Sequence, residues 1–376
     1  MFAFLASFRR IDSTRHLGSP FVRLLLCYVL ACSLSAMFSD NPRGAWIEVA
    51  KVGYLATVAV TLYVSTETEQ DLTRWIRAFL AGSLLTILGC LLGWFHYYVL
   101  HKVDSPFLTD MGSLPGYLPR VCSTFATSSM FCNYVIVAFC LAWWYWRRKK
   151  VMPRFLLATG LLFAGCTSLS SGIGGLALAF VWLALGDHLA EAESKSGRTQ
   201  HLVRSATLTL VSIFCLAMLL GGLFGVKTLY FNNWRARGVA VRLACWSQAE
   251  QGWQERPLLG WGGGQEPILV RAGPYVFSDA HNWVLSTAAQ WGSVALVVLF
   301  GIVVFSMGIN TSRGRGSSLF PLQIALCTAL LYDGILGSFE DARHIWILLG
   351  LLGAENCRRR ACRDMNQTNS DEPAQT

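Results

Sequence analysis

The 376-residue chain is 53% hydrophobic and 14% charged, with a mean hydropathy of +0.44 and a net charge of +9. Soluble domains carry about 25% charged residues, so this composition excludes an ordinary soluble domain. The basic excess does not point to nucleic acid either: RRKK at 147–150, RGRG at 313–316 and RRR at 358–360 each directly follow an apolar run. That is how Lys and Arg anchor the cytoplasmic ends of membrane spans.

Crossing a bilayer as a helix takes about 20 mostly apolar residues. Apolar windows at 21–38, 46–64, 74–100, 127–146, 155–169, 172–186, 205–226, 283–308, 317–336 and 341–355 predict about ten spans. The expected fold is therefore all-α, a polytopic transmembrane bundle forming one domain over 1–363. The polar stretch DMNQTNSDEPAQT (364–376) reads as a disordered tail. The N-terminal MFAFLASFRR places its apolar part before its charges, the wrong order for a signal peptide, so 21–38 reads as a retained first helix. With a cytoplasmic N-terminus, every inner segment is basic and both termini lie inside.

The twelve cysteines fall mainly inside apolar runs and form no C-x-x-C pair, so they read as small hydrophobes rather than a zinc site. Cys122 and Cys245 both fall in exterior loops, where a disulfide between them would need a geometry that sequence does not supply. Glu48 and Lys51, one turn apart, are placed to pair with each other, and Asp333 ends a span near Glu340 and Asp341.

Two exterior segments remain, 101–126 and 227–282. The second is longer than a helix connection requires, which marks it as a candidate functional loop. It also breaks the positive-inside pattern with Lys227, Arg235, Arg237, Arg242, Arg256 and Arg271. A solvated charged face and an anionic ligand both account for that excess. Helical spacing over 235–254 puts Val239, Leu243, Trp246 and Ala249 on one side. Pro257 then stops the helix, and PLLGWGGG (257–264) forms a turn that lacks the Lys and Ser/Thr of a phosphate-binding P-loop. Trp246, Trp253, Trp261 and Trp283 fit an interfacial belt or a surface that stacks on sugar rings. DAHNW (279–283) opens the next span with a histidine at its mouth.

Arg242 with Trp246, then PLLGWGGG, then HNWVLSTAAQWG (281–292), in that order, resemble the O-antigen ligase and polymerase family of bacterial inner-membrane enzymes. The resemblance extends to NPRGAWIEVAKVGYL (41–55), PRVCSTFATSSMFCNY (119–134) and RHIWILLGLLG (343–353). It departs at LSSGIGG, where the family often carries an arginine, and in having fewer than the family's usual twelve or so spans. The resemblance implies a membrane glycosyltransferase that moves a glycan from an undecaprenyl-diphosphate carrier to an acceptor at the periplasmic face. Its partners would be the lipid-linked oligosaccharide donor, a glycan or lipid A core acceptor, and membrane lipids. A polymerase of the same family and a polysaccharide-lipid flippase are the competing readings.

Such a transfer needs the departing diphosphate stabilised and the acceptor hydroxyl deprotonated. Arginine suits the first task, being permanently charged and able to bind phosphate oxygens in pairs. Arg242, Arg120 and Arg343 are the candidate clamps, and no D-x-D motif calls for a metal or other cofactor. His281 suits the second task, because an ordinary pKa near 6.5 leaves it able to accept a proton at neutral pH. Asp279 and Asn282 would orient its ring or cap the helix, and Trp261 would support the site.

Overall fold

The computed structural model describes residues 18–102, 105–149 apart from 115–117 and 126, isolated positions between 156 and 183, 234–308 apart from 266 and 273–274, 319–336 and 342–370. The described residues are mostly helical. Four helices are long and apolar enough to cross a membrane: α1 (Pro20–Met37), α2 (Pro42–Ser65), α3 (Glu69–Tyr98) and α6 (Trp283–Met307). These match the expected spans 21–38, 46–64, 74–100 and 283–308. The stretches 127–146, 317–336 and 341–355 form α4 (Ser128–Lys149), α7 (Leu319–Leu336) and the first half of α8 (Arg343–Ser370). The expected spans 172–186 and 205–226, and most of 155–169, lie outside the described residues. Helix α8 continues through 364–370, the first half of the stretch whose composition suggests a disordered tail.

Local sequence sets the helix starts. Ser19 and Asn41 accept hydrogen bonds from the amides of Val22 and Gly44, and Pro20 and Pro42 occupy first-turn positions where no N–H is needed. Thr68 and Asp71 form a reciprocal capping box at the start of α3.

The largest helix contacts pair α8 with α2, α7 with α4 and α6 with α1. Phe21 on α1 meets Tyr63 on α2 and Phe305 on α6, while Tyr28 on α1 meets Trp346 on α8. The residues left outside are as telling. Leu26, Leu30 and Leu34 on α1, Leu84, Leu88, Leu91 and Phe95 on α3, and Val294, Val297 and Val304 on α6 are all exposed. Apolar stripes this long have no reason to face water and mark a membrane protein.

One end of the bundle gathers the non-helical parts. The hairpin β1 (Leu108–Leu114)/β2 (Leu118–Val121) packs along the second half of α3, where Ser123, just past β2, donates its hydroxyl to the Thr86 carbonyl at 2.8 Å. Helix α5 (Trp234–Glu255), the hairpin β3 (Val270–Ala272)/β4 (Tyr275–Phe277) and the turn between them dock on the head of α6. Cys245, Ala249, Ile268, Ala280 and Ala289 form a small second core there, flanked by Val241 and Trp246. The expected helix over 235–254 is present, but its buried face is Val241, Cys245 and Ala249. Leu243, expected on the packed side, is exposed because the docking surface comes from one side only.

Candidate functional site at the head of α6

Helix α6 is two segments joined at Gly292, whose backbone (φ 77, ψ 178) leaves the helical region. The break frees two carbonyls and two amides, and the PLLGWGGG turn takes up all four. Ser293 and Val294 donate their amides to the carbonyls of Pro257 and Leu258 at 2.8 and 3.4 Å. In return, the Ala289 and Gln290 carbonyls accept from the amides of Trp261 and Gly262 at 3.0 and 2.8 Å. The Ser35 hydroxyl of α1 adds a bond to the Gln290 carbonyl, and the Gly264 amide donates to the Gln290 side chain. Irregular backbone in an apolar bundle survives only when its polar groups are met in this way. The amides of Trp261, Gly262 and Gly264 are thus engaged in bracing α6 and are not presented to an anion.

Arg256 fastens the turn from outside. Its Nη2 donates to both carboxylate oxygens of Asp40 (3.1 and 2.9 Å), and its guanidinium lies 3.9 Å above the Trp261 ring. The Trp261 indole donates to the Gly252 carbonyl at 2.9 Å. Trp253 donates to Ser293 Oγ and Trp283 to the Leu330 carbonyl, each at 2.9 Å. Trp253 and Trp261 therefore tie α5 to α6 and to the turn through their N–H groups, while Trp283 ties α6 to α7.

The head of α6 carries the histidine. Asn282 is the N-cap: its side-chain oxygen accepts from the amides of Val284 (3.0 Å) and Leu285 (3.2 Å). His281, just before it, takes a left-handed conformation at φ 50, a region that non-glycine residues rarely adopt and that recurs at functional sites. The Asp279 carboxylate organises this corner, accepting from the His281 amide at 3.0 Å and from the Ser286 hydroxyl at 3.1 Å. Its other oxygen lies 3.4 Å from His281 Nδ1. The sequence alternatives thus divide: Asn282 caps and Asp279 orients.

Burial decides the protonation state of His281. Burial lowers its pKa from the ordinary 6.5; Asp279 opposes the shift and the nearby Arg242 charge adds to it. The ring is therefore neutral at pH 7, and the carboxylate 3.4 Å from Nδ1 favours the tautomer with its proton on that nitrogen. That tautomer leaves Nε2 as the proton acceptor. Arg242, on the face of α5 turned to α6, is largely desolvated. Burial lowers its pKa, partly offset by Tyr332 and Cys245, and the group stays cationic.

The structure thus brings together Arg242, His281 and Asp279. Arg343, at the first position of α8, is exposed, and no interaction joins it to Arg242 or His281 among the described residues. Arg120 sits in β2 opposite Thr109, with its side chain outside the described residues. Cys122 and Cys245 form no disulfide with each other. Glu48 and Lys51 do pair, at 2.7 Å. Among the described residues, no three His, Cys, Asp or Glu side chains gather where they would hold a metal ion.

Sequence reasoning missed two neighbours of this site. Tyr332, 2% exposed, lies within electrostatic reach of Arg242, and Asn133, fully buried on α4, contacts Asp333. The only sequence signal was a polar residue inside an apolar run, in MFCNYVIV and LLYDGIL. Compared with known proteins, the chain matches no family model and no curated protein.

Proposed function

We propose that this chain is a glycosyltransferase of the bacterial inner membrane, moving a glycan from an undecaprenyl-diphosphate carrier onto an acceptor sugar at the periplasmic face. On this reading about ten spans cross the membrane, both termini are cytoplasmic, and segment 227–282 is periplasmic. One observation carries the proposal: a desolvated arginine lies within electrostatic reach of a neutral histidine whose Nδ1 faces a carboxylate at 3.4 Å, all at one end of an apolar bundle. The order of motifs across 242–292, which resembles the O-antigen ligase and polymerase family, supports the same reading.

The chemistry follows from the two groups. His281 Nε2 takes the proton from the acceptor hydroxyl as its oxygen attacks the anomeric carbon. The bond from that carbon to the diphosphate oxygen breaks with inversion, and undecaprenyl diphosphate departs. Arg242 neutralises the charge developing on the leaving group, and its desolvation makes each contact stronger than in water. Asp279 stabilises the transient imidazolium, which then returns its proton to solvent or to the departing diphosphate.

The test is transfer by purified protein in detergent, given lipid-linked oligosaccharide and lipid A core, with products read by mass spectrometry. A glycan joined to the core supports the ligase reading. Elongation of the glycan itself would make the protein a polymerase, and no product with either acceptor overturns the assignment. A flippase would need its polar groups near the bilayer midplane. Here Arg242, His281 and Asp279 gather at one end instead.

A further inference from the structure

Beside the Arg242–His281 pair lies a polar pair that the proposed reaction leaves unused. Asp333, three residues before the end of α7, is 3% exposed, and Asn133 on α4 is 0% exposed. The Asn133 amide donates to the Ala329 carbonyl at 3.4 Å and lies within reach of the Asp333 carboxylate. Two acceptors are left over. Asp333 Oδ2 and Asn133 Oδ1 are sealed from solvent, and neither has a hydrogen-bond partner among the described residues.

Adjacent buried acceptors without a donor are costly, and a single proton on Asp333 resolves both. The carboxyl O–H then donates to the amide oxygen while the amide N–H donates to the carboxyl oxygen. Acid and amide complement each other in a closed ring.

Charge gives this pairing a consequence for the site. Asp333 interacts electrostatically with Asp279, and its chain neighbour Tyr332 interacts with Arg242. At this end of the bundle, the elements packed around it carry Asp279 and His281 before α6, Arg242 on α5, Tyr134 on α4, and Arg343 and His344 on α8. Were Asp333 ionised, the two carboxylates would outweigh the Arg242 charge and repel an incoming diphosphate. We propose that Asp333 is a neutral acid closed on Asn133, which keeps a second negative charge away from Arg242 so that a diphosphate can settle there. The part concerning diphosphate rests on the proposed function; the acid–amide ring does not.

Two measurements on the full chain in detergent separate those parts. In infrared difference spectra between wild type and Asp333→Asn at pH 7, the wild type should show a protonated-carboxyl C=O band that the variant lacks. Asn133→Leu should shift that band. Carboxylate bands in its place overturn the proposal. Tryptophan fluorescence then follows binding of undecaprenyl diphosphate at pH 7. Asp333→Asn, which carries no charge, should bind this lipid as tightly as wild type. A gain of roughly tenfold in Asp333→Asn, the effect of removing one like charge from a partly desolvated site, shows an ionised Asp333 in wild type and overturns the charge-setting role. A protonated band without binding of this lipid keeps the ring, removes the charge-setting role and refutes the proposed function.

Discussion

Replacing Gly292 with alanine tests the brace between the 257–264 turn and α6. At φ 77 and ψ 178 the residue occupies a region essentially reserved for glycine, and holding alanine there costs about 1–3 kcal/mol. A Cβ at this position would also press into the Leu258 carbonyl, so the turn must withdraw. Withdrawal breaks the Ser293–Pro257 and Val294–Leu258 bonds, at about 0.5–1.5 kcal/mol for each. The combined loss is on the order of 4 kcal/mol. At a few degrees per kcal/mol, that lowers the apparent melting temperature by about 10 °C. A thiol-reactive dye suits the measurement, because Cys32, Cys90, Cys132 and Cys140 are buried, form no disulfide and become reactive only on unfolding. A Gly292→Ala protein that melts within about 2 °C of wild type would show that the kink is not held by the turn.

The remaining predictions concern the head of α6. Arg242→Lys and His281→Ala should leave expression and melting near wild type while lowering transfer by at least about 100-fold, the usual effect of losing a general base or a leaving-group clamp; full activity of either variant removes that residue from the mechanism. Transfer should need neutral His281 and so fall on acidification, with a midpoint below 6.5 because burial depresses its pKa. Asp279 raises that pKa, so Asp279→Asn should move the midpoint lower still while reducing the rate, and an upward shift would contradict the assigned contact. Asn282→Ala removes two capping bonds and should cost about 1 kcal/mol, read as a lower melting temperature.

Legibility in the sequence tracks the range of the interaction. The starts of α1 and α2 were readable because Ser19-Pro20 and Asn41-Pro42 act within one turn. Helix α5 and its stop at Glu255 followed from spacing and from Pro257. Arg242 and His281 were found as residue types suited to the chemistry, yet their proximity depends on α5 docking against α6, which no local pattern encodes. The role of PLLGWGGG was hidden for the same reason: a glycine turn that cradles an anion and one that braces a broken helix read alike until their amide partners are seen. The Asp333–Asn133 pair joins residues 200 positions apart by number and left only two polar letters in apolar runs.

The brace also sets what may be transplanted. Beyond Gly292, α6 has only residues 293–307 in continuous helix, about 22 Å at 1.5 Å per residue, against an apolar layer of about 30 Å. The upper part of that crossing is completed by a strip of chain from outside the helix. A chimera that exchanged 227–282 with a segment lacking this turn, keeping the native α6, would leave the buried Ala289 carbonyl without its turn partner and that of Gln290 with Ser35 alone. The heritable unit is therefore turn plus helix, running from Pro257 through Val294, and grafts that cut inside it should fail at membrane insertion rather than at turnover.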